Sequence, residues 1–388
     1  MPYSGKSTYD GGSSLPEIAE DVSDIVSIIS PYETPLLDLL GDPRRAALST
    51  IHEWIEDDLL PNFDTVNQSS FSPNGQDCTA ITVANGVRFQ AGDQVRPDTS
   101  TEIMLVTSVA GNVITVVRQY GGTTPFTLTN SRKLFIIGNA AFEGSSALAA
   151  RMTLRQRRQN FTQIFTATVD VSGSVQAARK VGVADEVDYQ KQERMRELLR
   201  DLENVVINGV APAANAQGSS TVRRSMNGII KTIATNRFVP GVGGVPAGGG
   251  GGTDLNEAVL NYCLKQIWES SNSKIDTIVV GGSLKRRINQ FIASTSRAYS
   301  PIDQRLGELV SVYESDFGVC RVILSRWAPP DTALLLDSSR IEVLPLGGRT
   351  FQFRPLAQTG DSFQGQLLGE YTLEFRNELA HGLVRGLT

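Results

Sequence analysis

The 388-residue chain has two histidines, His52 and His381, and three cysteines, Cys78, Cys263 and Cys320. Two imidazoles exclude a multi-histidine metal site and leave almost no room for a histidine-based catalytic triad. Each is read as a structural hydrogen-bonding residue. The thiols are odd in number and far apart, so they fit no disulfide framework and read as reduced, buried small hydrophobes. No apolar run approaches the roughly 20 residues that span a bilayer. The polar start MPYSGKSTYDGGSS has no signal-peptide core. Positive charge is not in excess either, the net charge being −5. A protein that condenses nucleic acid by neutralising phosphates should be basic, because its affinity comes from counterion release.

What is present is a globular composition, 40% hydrophobic and 20% charged, long enough for two or three lobes with a sizeable core. No internal repeat is visible. After a Gly- and Ser-rich start, Ser14 and Glu17 stand in capping-box register ahead of Ile18, Val22, Ile25, Val26 and Ile29, a helix ended by Pro31. A second short helix has Thr34 as cap, Pro35 at its first position and Gly41 past its end. From about Ile51 to Ala141 the pattern turns to strands, with a hairpin about Gly111-Asn112 and a further strand in KLFIIG. The strongest helix signal is Asp185 to Asn208. There Met195, Leu198, Leu199, Leu202, Val205 and Val206 make an apolar stripe, and Gly209 stands at the C-terminal cap position. Beyond the Gly241–Gly252 run, read as a flexible loop, helices over TDLNEAVLNYCLKQIWES and SLKRRINQFIAS flank the buried strand KIDTIVVGG, an α/β lobe. The last quarter alternates strand-like runs (Val319–Leu324, Ala333–Leu336, Arg349–Phe353) with Pro, Gly and Asp turns.

None of these segments carries chemistry at a recognisable spacing. SGKST at residues 4–8 ends like a phosphate-binding loop but lacks the earlier glycine and the flanking strand and helix. The Gly241–Gly252 run lacks the dinucleotide-binding spacing. Glu53, Glu56, Asp57 and Asp58 read as a solvated face or as partners for arginines rather than as paired catalytic acids. The basic cluster Arg151, Arg155, Arg157 and Arg158 has no aromatic platform beside it. In an acidic chain it is read as an ion-pairing patch for an acidic surface on a neighbouring copy, ahead of DNA contact or a merely solvated face. No catalytic residue, cofactor or metal is expected.

In order along the chain, SDIVSIISPYETPLLDLLGD, GNVITVVRQYGGTT, RRQNFTQIFTATVDVSGSVQAARKVGVADEVDYQKQERMRELLRDLENVVING, SDFGVCRVILSRW and QTGDSFQGQLLGEYTLEFRNELAHGLVRGL resemble the major capsid proteins of tailed bacteriophages. These have the Hong Kong 97-type fold, and the match is to the group with an elongated β insertion before the spine helix. The resemblance implies an α+β fold. Residues 1–50 would be an N-terminal arm, 51–165 an extended loop with an inserted β module at about 78–141, and 166–227 a peripheral domain with its spine helix at 185–208. Residues 228–327 would form an axial α/β domain, and 328–388 strands completing both domains. It implies self-assembly into hexamers and pentamers of an icosahedral or prolate shell around double-stranded DNA, without sequence-specific binding and without a membrane. Portal and scaffolding proteins would be partners, and a decoration protein could be one. Assembly would occur in the host bacterial cytoplasm and the product would be a virion. Lys133, the one lysine between Ile51 and Val169, shows no sign of serving a covalent crosslink. The competing readings are another virion component, such as a decoration or tail protein, and a cytosolic α/β enzyme.

Overall fold

A computed structural model describes residues 34–388 except 44, 58, 60, 145–149, 154, 179–184, 272, 295–311 and 358–359. SGKST, the expected helix ending at Pro31 and Asp58 therefore lie outside the described residues. The chain divides into two compact units, one of residues 1–54 with 157–388 and one of residues 55–156.

The first unit opens with α1 (Pro35–Leu40), and β1 (Ile51–Glu56) pairs with β8 (Gln156–Phe161) in a two-stranded sheet. Pro35 stands at the start of α1 and Gly41 closes it at φ +68°, where an L side chain would be strained.

The second unit is built on β2 (Phe63–Thr65), β3 (Ala80–Thr82), β4 (Asp93–Pro97), β5 (Met104–Ala110), β6 (Val113–Val117) and β7 (Lys133–Asn139), in the order β2-β7-β4-β5-β6-β3. The two ends of this sheet meet. Val66 bridges Val83, the Asn67 amide donates to the Thr82 carbonyl at 2.8 Å, and that of Ala84 to Thr65 at 2.9 Å. The sheet is thus a small closed barrel with no long free edge. Every second residue of β6, β5 and β4 points in, so Ile114, Val116, Met104, Val106 and Val95 fill the barrel with Ile81, Phe89 and Leu134. The strand Phe63–Thr65 lies ahead of the 78–141 span expected for the module, because its partner Lys133–Phe135 is 68 to 72 residues further on.

The rest of the first unit continues with β9 (Gln163–Ser172), α2 (Gly173–Ala177), α3 (Glu186–Asn208), α4 (Ile229–Thr232), β10 (Arg237–Phe238), α5 (Glu257–Ser271), β11 (Thr277–Val280) and α6 (Gly282–Ser294). It ends with β12 (Val312–Ser315), β13 (Gly318–Leu324), β14 (Ala333–Leu336), β15 (Ile341–Pro345), β16 (Gln352–Pro355), β17 (Ser362–Phe375) and β18 (Gly382–Val384). β16 starts at Gln352 rather than Arg349, because Arg349 turns to pair with Glu370 at 2.8 Å.

Two sheets organise this unit. One has the mixed order β10-β18-β14-β11-β13-β12, and in the other β17 is flanked by β9 on one side and by β16 and β15 on the other. The strands β11 (TIVV) and β14 (ALLL) are buried throughout. Their residues alternate between two cores. Ile278, Val280, Ala333 and Leu335 join the α5 side, while Val279, Leu334 and Leu336 join the α3 side. A continuous apolar run is what a strand covered on both faces requires. The α3-side core joins Leu198 and Leu202 of segment 166–227 to Ile229, Ile233 and Val279 of segment 228–327, and also takes in Phe165, Ile341, Leu367 and Phe375, so the two segments share one hydrophobic interior.

At about 1.5 Å per residue α3 is roughly 35 Å long. Asp185 caps it by accepting from the amide of Val187 at 2.8 Å. Of the expected stripe, Leu198, Leu202 and Val206 are buried, and Met195 and Val205 pack partly against the same core. Leu199 is a correction: it is 36% exposed. One residue past Leu198, it is turned about 100° away from the packed face. Ile207 takes its place inside. Gly209 ends the helix at φ −56°, so its role is space and not a left-handed turn. The Gly228 amide donates to the Gly209 carbonyl at 2.9 Å. A Cβ on Gly228 would sit 2.6 Å from the Gly209 nitrogen and 2.7 Å from the Val205 oxygen, all main chain that cannot step aside. Gly228→Ala is expected to cost about 1–3 kcal/mol, read as a lower urea midpoint followed by tryptophan fluorescence. Trp327 reports this corner, since its carbonyl accepts from Asn208 at 2.8 Å.

Candidate functional site

The chain carries its charge in clusters, and those inside the fold differ from those on its surface. Glu374, 1% exposed, is met by Arg45 at 2.7 Å and by His52 Nε2 at 2.5 Å. Burial alone would raise its carboxyl, but these two hydrogen bonds outweigh burial and hold it below the usual range. Arg45 Nε also reaches Glu342 at 2.9 Å. Glu370 accepts from Thr162 and Arg224, each at 2.6 Å. His381 is fully buried, accepts the Asp337 amide on Nδ1 at 3.2 Å and so carries its proton on Nε2, 3.2 Å from the Arg376 carbonyl. Both histidines are structural hydrogen-bonding residues in this arrangement.

The basic cluster lies elsewhere. Arg151 pairs with the buried Asp93 at 3.3 Å, and Arg155 with Asp57 at 3.7 Å. Arg157 on β8 faces Glu53 on β1 at 3.5 Å. The acidic run is thus a set of arginine partners at Glu53 and Asp57. The side chains of Arg155 and Arg157 remain 75% and 71% exposed. Pairs so long and so wet contribute about 0–1 kcal/mol, so they do little for the subunit itself. Arg158, next along the strand, is exposed.

Cys78, Cys263 and Cys320 are buried free thiols, and burial pushes Cys320 up to about 12. Among the described residues no group of three His, Cys, Asp or Glu is placed to hold a metal. No helix among them is long and apolar enough to cross a membrane. The Gly241–Gly252 run is tied back by a bridge from Gly249 to Asp254, whose carboxylate meets Arg287 at 3.0 Å and the Thr388 hydroxyl at 2.9 Å. Lys133 Nζ lies 5.2 Å above the Phe63 ring. Sequence reasoning missed the buried carboxylates Glu102, Glu203, Glu370 and Glu374. Glu203 follows Leu202 and precedes Ile207 by one turn, which puts it at the edge of the stripe, where periodicity alone does not say whether a side chain turns in or out.

The chain is an α+β subunit with a long capped helix packed on β sheets and a separate β-barrel unit. The fold is that of the Hong Kong 97-type capsid proteins. The family model for the SU10 major capsid protein matches residues 4–388, and the chain belongs to that family. It is a major capsid protein, a virion structural subunit and not an enzyme. A solved structure from Microbacterium phage Oxtober96 is similar at 11% identity, over 95% of this chain and 96% of that one, with a TM-score of 0.52. The capsid of a native GTA particle, computed with C5 symmetry, is similar at 9% identity over 99% of both chains, also with a TM-score of 0.52. No curated protein matches the sequence.

Proposed function

We propose that this subunit assembles as hexamers and pentamers into a closed icosahedral or prolate shell around the double-stranded DNA of a tailed phage, in the host cytoplasm. The observation that carries this reading is the family match along nearly the whole chain. The net charge of −5 fits a coat that receives DNA from a motor at a portal, since such a coat need not attract phosphates itself. A separate scaffolding protein and, on the outer surface, a decoration protein are further partners. Residues 1–50 serve as the N-terminal arm, α3 as the spine helix of a peripheral domain, residues 228–327 as most of the axial domain, and the barrel as the module inserted in the extended loop.

In this scheme Arg151, Arg155, Arg157 and Arg158 pair with carboxylates of a neighbouring copy. Repeated self-complementary contacts are what closed symmetric shells use. The test has two parts. Sedimentation and negative-stain microscopy of the purified chain should find shells or five- and six-membered rings, alone or with a co-expressed scaffold. A monomer under both conditions overturns the reading. Arg155→Glu with Arg158→Glu should abolish shells while moving subunit stability by less than about 1 kcal/mol. Normal shells from the double variant would remove the arginines from the interface.

A further inference from the structure

Thr34 stands at the N-cap of α1, yet its side chain makes no capping bond. The first-turn amides are satisfied from far away in sequence. The amides of Leu36 and Leu37 donate to one carboxylate oxygen of Glu203, on α3, at 3.1 and 3.3 Å. The other oxygen lies 3.3 Å from the Ser325 hydroxyl, just past β13. Glu203 is fully buried, and so are Leu36 and Ser325. Its hydrogen bonds come from two backbone amides and a hydroxyl, and no ion pair reaches it among the described residues.

We propose that Glu203 is a pH-sensitive latch that holds α1 onto α3 and releases it as the carboxyl ionises. A buried carboxylate without a cation favours the state in which it carries a proton or regains water. Burial pushes Glu203 up to about 7, against the smaller opposing effects of the two amides and of Ser325. Once α1 lifts away, the side chain meets water and returns towards its ordinary value near 4.5. The docked state therefore binds the proton more tightly than the released one. Docking is tight in acid and loosens as pH rises from about 4.5 to about 7.

The surrounding charges keep that sense. On α1 itself Asp38 faces the carboxyl and raises it further. On α3, one turn back, Arg200 pairs with Asp201 at 3.5 Å. Beyond Ser325 the side chain of Arg326 is exposed, as is Lys231 on α4. The latch thus joins a segment near the chain's start to a helix 167 residues later through a single titratable side chain.

Hydrogen exchange on the full chain, expressed as protection factors so that the intrinsic pH dependence divides out, tests this directly. In the wild type, protection of the α1 amides should fall on the order of a hundredfold between pH 4.5 and pH 8, while amides in the middle of α3 serve as the internal reference. In Glu203→Gln, which keeps an oxygen to accept but cannot ionise, α1 protection should not change with pH. Asp38→Asn should move the wild-type midpoint to lower pH. A wild-type profile that is flat, or one that Glu203→Gln reproduces, overturns the proposal.

Discussion

Replacing Arg118 by Met is expected to destabilise the barrel by about 3–5 kcal/mol. Arg118 and Glu102 are almost wholly buried, with side chains 6% and 0% exposed. Two parallel bonds join them, Nε to one carboxylate oxygen at 2.8 Å and a terminal nitrogen to the other at 2.7 Å. The guanidinium also donates to the carbonyls of Phe126 at 2.6 Å and of Gly75 and Cys78 at 3.3 Å each. Glu102 in turn accepts the amides of Phe126 at 2.8 Å and Gln119 at 3.2 Å. This pair stitches two loops, near 75–78 and 119–126, to the strands between them. Methionine preserves volume but leaves a buried carboxylate with no cation and takes a donor from the carbonyls of Phe126 and Cys78, while Gly75 keeps the Leu128 amide at 2.8 Å; the cost lies there rather than in lost attraction.

For a unit of this size the change corresponds to roughly 15–30 °C in melting temperature. Arg118→Lys, which keeps the charge but not the planar fork, should fall in between. The three tryptophans are Trp54, Trp268 and Trp327, none of them in the 55–156 unit. Fluorescence will therefore be blind to this melting, and calorimetry or hydrogen exchange is the suitable probe. A loss under about 1 kcal/mol would mean that the pair is not what holds the loops.

Lowering the pH from 6.5 to 4 should expose two opposing effects on global stability, each of about 3 kcal/mol. His381 is buried with the Phe375 ring 4.1 Å from its own. Desolvation lowers it to about 4, beyond what the Arg376 carbonyl and Asp337 can offset. Its folded value is depressed, so the unfolded chain binds the proton more readily between 4 and 6.5. Stability from His381 is complete above pH 6.5 and is lost as pH falls towards 4. Glu203 has the opposite sign. Its folded value is raised, so its contribution is full below about 4.5 and is lost as pH rises through about 7. The two oppose each other in the wild type.

Glu203→Gln should therefore unmask a steep acid limb in urea unfolding, and His381→Gln should leave a protein whose stability rises as pH falls from 7 to 4.5. Below that window Asp337 and Glu374, both held low, add a further loss as they protonate. Identical pH profiles for wild type and Glu203→Gln would contradict the assignment.

What the sequence determined is local. The span and cap of α3, the Pro35 start and Gly41 stop of α1, the turn at Gly111-Asn112, and the strands at residues 277–280, 318–324 and 333–336 follow from periodicity and from residues with fixed backbone preferences. The order and spacing of several quoted segments were enough to suggest the capsid family.

Only the tertiary structure decided what joins distant segments. Closure of the barrel depends on Val66 meeting Val83, an interaction between strands whose sequences show two ordinary strand ends. The partition of β11 and β14 between two cores depends on what covers each face, which a fully apolar strand does not reveal. The sorting of Leu199 outward and Glu203 inward needed the exact rotation of α3 against its neighbours. Above all, the buried charges were invisible. Arg45 finds Glu374 across 329 positions and Leu36 finds Glu203 across 167. A charged side chain looks the same in sequence whether it faces water or a partner, because its environment is supplied by residues brought near only once the chain has folded.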